Sequence, residues 1–162
     1  MEYFFNFDKF AYLKGKRPEG CILCLIRENS PDVTNMVVYR NSHIGISLNL
    51  YPYNPGHLLI FPLRHTEDIR QLGTEERLAL DAGLDKALSV LDGLYTPAAY
   101  NIGYNMGPVA GASINHLHMH VIPRYPREIG IAELLAGKRV LVEDLAVTRE
   151  RMTAAFTALS DE

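Results

Sequence analysis

The sequence predicts an α+β domain from three observations: a run of three short strand-like segments, a long helical stretch after them, and two more strand-like segments before a second helical stretch. Asn35 to Arg40, Ile44 to Leu50 and His57 to Phe61 are rich in Val, Ile, Leu and Tyr. They are separated by turn residues at Asn41-Ser42 and Asn54-Pro55-Gly56, and such short links make an antiparallel meander. Thr74 then stands as an N-cap, with Glu75 and Glu76 in the first turn where the helix dipole favours anions. The helix is expected to run to about Leu91, with Leu78, Ala82, Leu88 and Leu91, joined by Leu84 and Ala87, facing the sheet. Glu75, Asp81, Asp85 and Lys86 fall on the wet side. Gly93 and Pro97 act as breakers before the strands Ala99 to Tyr104 and His116 to Ile122, the second of which Pro123 is expected to end for want of an N–H. From Glu143 the spacing of Leu145, Met152, Ala155, Phe156 and Leu159 predicts a terminal helix, while Tyr125 to Arg139 fits no single period.

Composition narrows the function classes. With 162 residues the chain makes one domain, 1–162, and 48% apolar against 22% charged residues is the balance of a protein that buries a core. The net charge of −3 gives no field that would draw duplex nucleic acid. The polar, aromatic stretch Glu2 to Lys9 lacks the features of a signal peptide, and no apolar run is long enough for a membrane span, so a cytoplasmic location is expected.

Two motifs carry chemistry. His116-Leu117-His118-Met119-His120 alternates imidazole with apolar side chains, so a strand places three imidazoles on one face and Leu117, Met119 and Val121 on the core face. Three such rings repel when charged and need partners when buried, which suits either metal binding or nucleophilic and acid–base work near neutral pH. The preceding loop, Asn105 to Ser113, offers Gly107 and Gly111 for close backbone approach and Asn105 and Ser113 as neutral hydrogen-bond partners, a setting for an oxygen-rich anion. Neither Gly-x-x-x-x-Gly-Lys-Ser/Thr nor Gly-x-Gly-x-x-Gly occurs, so the usual phosphate cradles are missing. The second motif is Cys21-Ile22-Leu23-Cys24, whose spacing is awkward for a structural disulfide and common for a metal knuckle or redox pair. His43 is read as an ordinary surface or core histidine.

The run from His116 to Arg124, His-Leu-His-Met-His-Val-Ile-Pro-Arg, resembles the signature of the histidine triad (HIT) family. Leu48 to His57 resembles the segment that opens the nucleotide pocket in its fragile-histidine-triad and dinucleoside-polyphosphate phosphorylase-like branches, and the likeness spans about Cys21 to Arg124. It implies a HIT-like, five-stranded antiparallel sheet with one long helix and a C-terminal helix, commonly paired into a homodimer. It also implies hydrolysis at the α-phosphate of a nucleotide substrate, either a dinucleoside polyphosphate or an adenylate ester or phosphoramidate. By the same resemblance His118 is the nucleophile, His120 holds the α-phosphate oxygens, Asn105 and Ser113 contact phosphate or leaving group, and Asn49 contacts the ribose. Phosphorolysis is the near alternative, and a non-catalytic nucleotide-binding interaction protein is the alternative of another class. Family members with a CxxC pair bind zinc through it, a Pro-x-x-His histidine and the first triad histidine, which implies a structural zinc on Cys21, Cys24, His65 and His116; His57 and His43 stay as alternative ligands, as does one ion held by all three triad histidines. Arg124 reads as a surface charge, Tyr51 and Tyr53 either flank a base or simply pack, and the continuation Tyr125 to Gly130 departs from the phosphorylase-like pattern.

Overall fold

A computed structural model describes residues 18–126 and 143–159; the Glu2 to Lys9 stretch and most of the Tyr125 to Arg139 segment lie outside them. The order is α1 (Ile22–Arg27), β1 (Val37–Arg40), β2 (Ile44–Leu48), β3 (Leu58–Pro62), α2 (Thr74–Tyr95), β4 (Ala99–Tyr104), β5 (Met119–Arg124) and α3 (Leu145–Ala158). The five strands form one sheet in the order β1-β2-β3-β5-β4, antiparallel at every pairing. The expected α+β class and five-stranded antiparallel sheet therefore hold.

The turn chemistry explains the meander. Asn41 Oδ1 accepts the backbone N–H groups of His43 (2.8 Å) and Ile44 (2.9 Å), closing β1 onto β2. Between β2 and β3, Gly56 takes φ +79°, and a Cβ there would lie 3.0 Å from Leu91 Cδ2. Both β2 and β3 are buried along their whole length, because the sheet is covered on two sides. Ile44, Ile46, Leu58, Ile60 and Val121 pack under α2 and α3, while Phe61 on the opposite face joins Leu23 and Ile26 of α1. Each such fully buried aliphatic contributes about 1.5–3 kcal/mol of transfer free energy.

Several boundaries shift for identifiable reasons. The N-cap of α2 is Gly73 rather than Thr74, and Glu76 reaches back to accept the Gly73 N–H at 2.9 Å. Gly93 is inside the helix, which ends at Thr96 in a left-handed conformation (φ 45°). Of the expected face, Ala87 and Leu91 are buried and Leu84 and Leu88 pack against the core, whereas Ala82 is exposed and Leu78 is 64% exposed; Leu80, Gly83 and Val90 complete the buried stripe. Gly83 marks the closest approach to the sheet, since a Cβ there would stand 2.4 Å from Ile44 Cδ1. Gly83 and Ala87 let the helix come close, and Leu80, Val90 and Leu91 fill the contact around them. Pro123 does not end β5; it pairs with Tyr100 and lies beyond the last rung shared with β3, where a strand tolerates a residue without an N–H. Asp144 caps α3, accepting from Ala146 (2.8 Å) and Val147 (3.3 Å), and Phe156 stacks on Tyr39 with ring centroids 5.6 Å apart. No described helix is long and apolar enough to cross a membrane.

Candidate active site and metal centre

The regular ladder of β5 begins only at Met119, so His116 and His118 ride on a segment held by individual bonds instead of strand pairing. Leu117 N–H donates to Thr66 O at 2.6 Å, and Leu117, Met119 and Val121 point into the main core. That alternation turns the three imidazoles to the other face. His116 and His118 are buried and His120 half-buried.

Each ring then acquires a defined tautomer from its neighbours. His118 Nδ1–H donates to the carbonyl of His116 at 2.6 Å, which leaves the lone pair on Nε2. Burial lowers the pKa of this ring, so it is held neutral. His57, fully buried just before β3, accepts the Tyr53 backbone N–H on Nδ1 at 3.1 Å and hence carries its proton on Nε2. That Nε2 lies 3.0 Å from His120 Nδ1 and donates to it, so the proton of a neutral His120 sits on Nε2. The Asn49 amide supports the same chain: Oδ1 accepts from Tyr51 N–H (3.0 Å), turning Nδ2 toward His57 Nδ1 at 3.3 Å. The rings of His118 and His120, 4.9 Å apart and tilted by 66°, thus hold opposite tautomers.

These groups border an open cleft. His118, His120, Asn49 and Ser113 supply its polar lining; Leu23, Ile26, Leu50, Leu59 and Ile114 are among its apolar residues. Tyr51 also lines it, whereas Tyr53 stacks on His57 with centroids 5.4 Å apart. Asn105 stands apart from that lining, half-buried beyond β4, with Nδ2 facing Gly111. Gly107 and Gly111 both adopt positive φ (86° and 93°), as the close turn of the loop requires. Arg124 donates to Asn101 Oδ1 across the β4–β5 pair at 3.1 Å.

The second motif forms a compact cluster beside the first. Cys21, Cys24, His65 and His116 bring one ligand atom each within 4.8 Å of one another, and both cysteines are free thiols. Cys21 Sγ lies 3.3 Å and Cys24 Sγ 3.7 Å from His116 Nδ1, and Cys24 Sγ lies 3.4 Å from His65 Nδ1. A tetrahedron with metal–ligand bonds of about 2.0–2.3 Å has edges of roughly 3.3–3.8 Å, so these separations fit a tetrahedral ion. His116 Nε2–H donates to Pro62 O at 2.8 Å, which fixes Nδ1 as the ligating nitrogen, and Glu67 lies 3.6 Å from the outer nitrogen of His65. Burial holds the His116 pKa down at about 4, ready to ligate as a neutral ring. Without a cation, burial and then the adjacent Cys21 push the Cys24 thiol up to about 11. The cluster can hold a metal.

The expected ligand quartet is therefore brought together, and the alternatives are not. His57 belongs to the His120 relay, His43 sits 3.9 Å from Glu75, and only one triad histidine joins the cluster. His57 is the residue that sequence reasoning undervalued; its signal was its place at the end of the pocket-opening segment, one residue before a strand that pairs with the triad strand.

Comparison with known proteins agrees with this geometry. A family model described as HIT domain matches residues 30–127, more than half the chain. An AP-4-A phosphorylase of Mycobacterium tuberculosis is 37% identical over 126 residues, covering 77% of this chain and 65% of that protein. A bis(5'-nucleosyl)-tetraphosphatase (asymmetrical) of Schizosaccharomyces pombe is 34% identical over 92 residues, covering 57% of this chain and 50% of its own length. The chain thus spans between half and two thirds of these two relatives. Among solved structures, a Zn-bound histidine triad family protein from Mycobacterium smegmatis superposes with a TM-score of 0.68 at 24% identity, covering 88% of this chain and 96% of that one.

Proposed function

The chain belongs to the HIT-domain family, and on that premise we propose that it is a nucleotide-binding hydrolase acting at the α-phosphate of a dinucleoside polyphosphate or an adenylate ester or phosphoramidate. The observation that carries this reading is the His118 ring, whose Nδ1–H is committed to the His116 carbonyl while the ring borders the cleft with its Nε2 lone pair available. Burial supports the unprotonated state at neutral pH. The names of the phosphorylase and tetraphosphatase relatives support the substrate class.

In the first step, His118 Nε2 bonds to the α-phosphorus as the bond from phosphorus to the bridging atom of the leaving group breaks, and that electron pair departs with the leaving group. A water oxygen then attacks the nucleotidyl-histidine, the P–N bond breaks, its electrons return to Nε2, and the water proton passes to solvent or leaving group. Such chemistry rests on positioning and charge stabilisation. His120 Nε2–H donates to a non-bridging phosphate oxygen. Asn49 contacts the ribose and Ser113 contacts phosphate or leaving group, whereas Asn105, which stands apart from the cleft lining, is left without that role. Cys21, Cys24, His65 and His116 hold a zinc ion, which supplies a structural tether and no reaction chemistry. We further read the enzyme as a homodimer.

Phosphorolysis, with phosphate replacing water as acceptor, is favoured as second reading by the 37% identical phosphorylase. Incubation with adenylate and guanylate derivatives, with and without phosphate, separates the two: hydrolysis yields a nucleoside monophosphate without added phosphate, and phosphorolysis yields a diphosphate only with it. His118→Ala removes turnover of labelled nucleotide. Turnover that survives this substitution, or no turnover of any derivative by the native protein, rejects the enzymatic reading and leaves a binding module.

A further inference from the structure

We propose that the Cys21–Cys24–His65–His116 cluster positions the nucleotide cleft, so that metal occupancy and nucleotide affinity are reciprocally coupled; the inference rests on the cleft being the nucleotide site.

Two structural links carry the coupling. The first runs through α1. This helix has six residues, far below the length of roughly 12–15 at which an isolated helix becomes even marginal in water. Its N-cap is Cys21 and its first turn contains Cys24, while Ile22, Leu23 and Ile26 from the same turn and a half line the cleft. The cleft's apolar wall and two of the four ligand atoms therefore belong to one short element. Among the described residues α1 is also tied by Ile22, Leu23 and Ile26, which pack with Phe61 and Ile114, and by the bonds Arg27 Nη1 to Leu63 O and Arg40 Nη1 to Arg27 O, each 2.9 Å. Both of these hydrogen bonds lie at the C-terminal end of α1, so a metal on Cys21 and Cys24 adds a polar anchor where the N-terminal end has apolar packing alone.

The second link runs through His116. Its side chain supplies a ligand on Nδ1 and donates from Nε2 to Pro62, while its main-chain carbonyl accepts the proton that sets the His118 tautomer. Because residues 116–118 lie outside the ladder, the peptide that carries that carbonyl is held by the Leu117 N–H bond to Thr66 O at 2.6 Å together with the His116 side-chain anchors. Ile22, Ser113 and Ile114 extend the contact, since they line both the nucleotide cleft and a second hollow beside Cys21 and His65. A metal that draws the four ligands together thus orders the wall and the nucleophile segment at once.

Linkage then demands symmetry: whatever factor the metal adds to nucleotide affinity, the nucleotide adds to metal affinity. The test uses the whole chain, zinc and AMP. AMP binding is titrated calorimetrically to zinc-loaded and chelator-stripped protein, and zinc affinity is measured by competition with a chromophoric chelator with and without saturating AMP. We expect both affinities to rise by the same factor, at least fivefold, which is the lower end of usual coupling energies. His65→Asn supplies the second arm, because it removes an exposed ligand and leaves the core intact. Its AMP affinity is expected to be weakened at low free zinc and restored as zinc is raised. Equal AMP affinity with and without zinc, in native and H65N proteins alike, overturns the coupling while leaving the nucleotide site standing. Failure of the zinc-loaded protein to bind AMP overturns the functional reading itself.

Discussion

His57→Leu tests the relay that orients the triad. The side chain is fully buried and joins the Tyr53 N–H at 3.1 Å to His120 Nδ1 at 3.0 Å, so an apolar replacement removes both of these hydrogen bonds. Each of the two lost hydrogen bonds is worth about 0.5–1.5 kcal/mol net, which sums here to roughly 1–3 kcal/mol. For a chain of this length each kcal/mol lowers the melting temperature by about 2–4 °C, giving a drop on the order of 2–12 °C. Activity should suffer separately, since His120 loses the donor that keeps its own proton on Nε2. Removal of a partner that orients a functional histidine typically costs about 10–100-fold, and that loss should fall on kcat rather than KM. Steady-state rates on a dinucleoside polyphosphate measure it, and 15N chemical shifts of the His120 ring report the tautomer directly. A variant that melts earlier as expected, yet keeps native kcat and an Nε2-protonated His120, would refute the relay and reduce His57 to packing.

Three further outcomes follow from the same coordinates. Cys21→Ala should release bound metal whereas His118→Ala should retain it, as read by metal analysis of the purified proteins; metal lost from the H118A protein alone would mean that the ion sits on the triad. Glu76 accepts hydrogen bonds from Arg64 (3.0 and 2.8 Å), which hold its carboxyl below the usual value near 4.5 against the opposing effect of burial, with the Gly73 N–H adding to the lowering. A depressed folded pKa means stability present above about pH 4.5 and lost as pH falls through the folded value, so native protein should lose about 1 kcal/mol more than Glu76→Gln between pH 6 and 3 in urea titrations. Parallel curves would dismiss the contribution. Gly45→Ala places a methyl 2.6 Å from Phe61 Cζ, and this overpacking should cost about 1–3 kcal/mol in chemical denaturation. Unchanged stability would show that the Phe61 ring moves without penalty.

The comparison between sequence and structure is most instructive where they part. The strands were legible because alternation and turn residues act locally: Asn41 closes its own hairpin through its own side chain. The metal quartet was legible from family resemblance, since no local rule links Cys21 to a histidine 95 positions away. The buried face of α2 was legible at Ala87 and Leu91 but not at its edges, where Leu78 and Ala82 are exposed and Leu80 and Val90 are buried. Gly83 carries no apolar side chain, yet it lies nearest the sheet. Helix α1 left no periodic trace, being too short to show one and held by Leu23, Ile26 and its neighbours. The start of β5 was placed too early because His116-Leu117-His118 alternates like a strand while its bonds go to Thr66 and Pro62 instead of to a neighbouring ladder. His57 was visible as a residue but not as a participant, because its role depends on which nitrogen carries a proton, and sequence is silent on that.

The opposed tautomers of His118 and His120 have a consequence for how the cleft handles a changing charge. One ring offers electrons and the other a hydrogen, and both polarities are set by main-chain or buried partners before anything binds. On the proposed function, an incoming phosphorus centre would meet a surface whose dipoles already point the right way, so no solvent would have to swing round to shield the oxygen as it gains charge. Drying the cleft therefore sharpens the pair instead of disabling it, and an apolar lining next to two imidazoles becomes an asset to the chemistry.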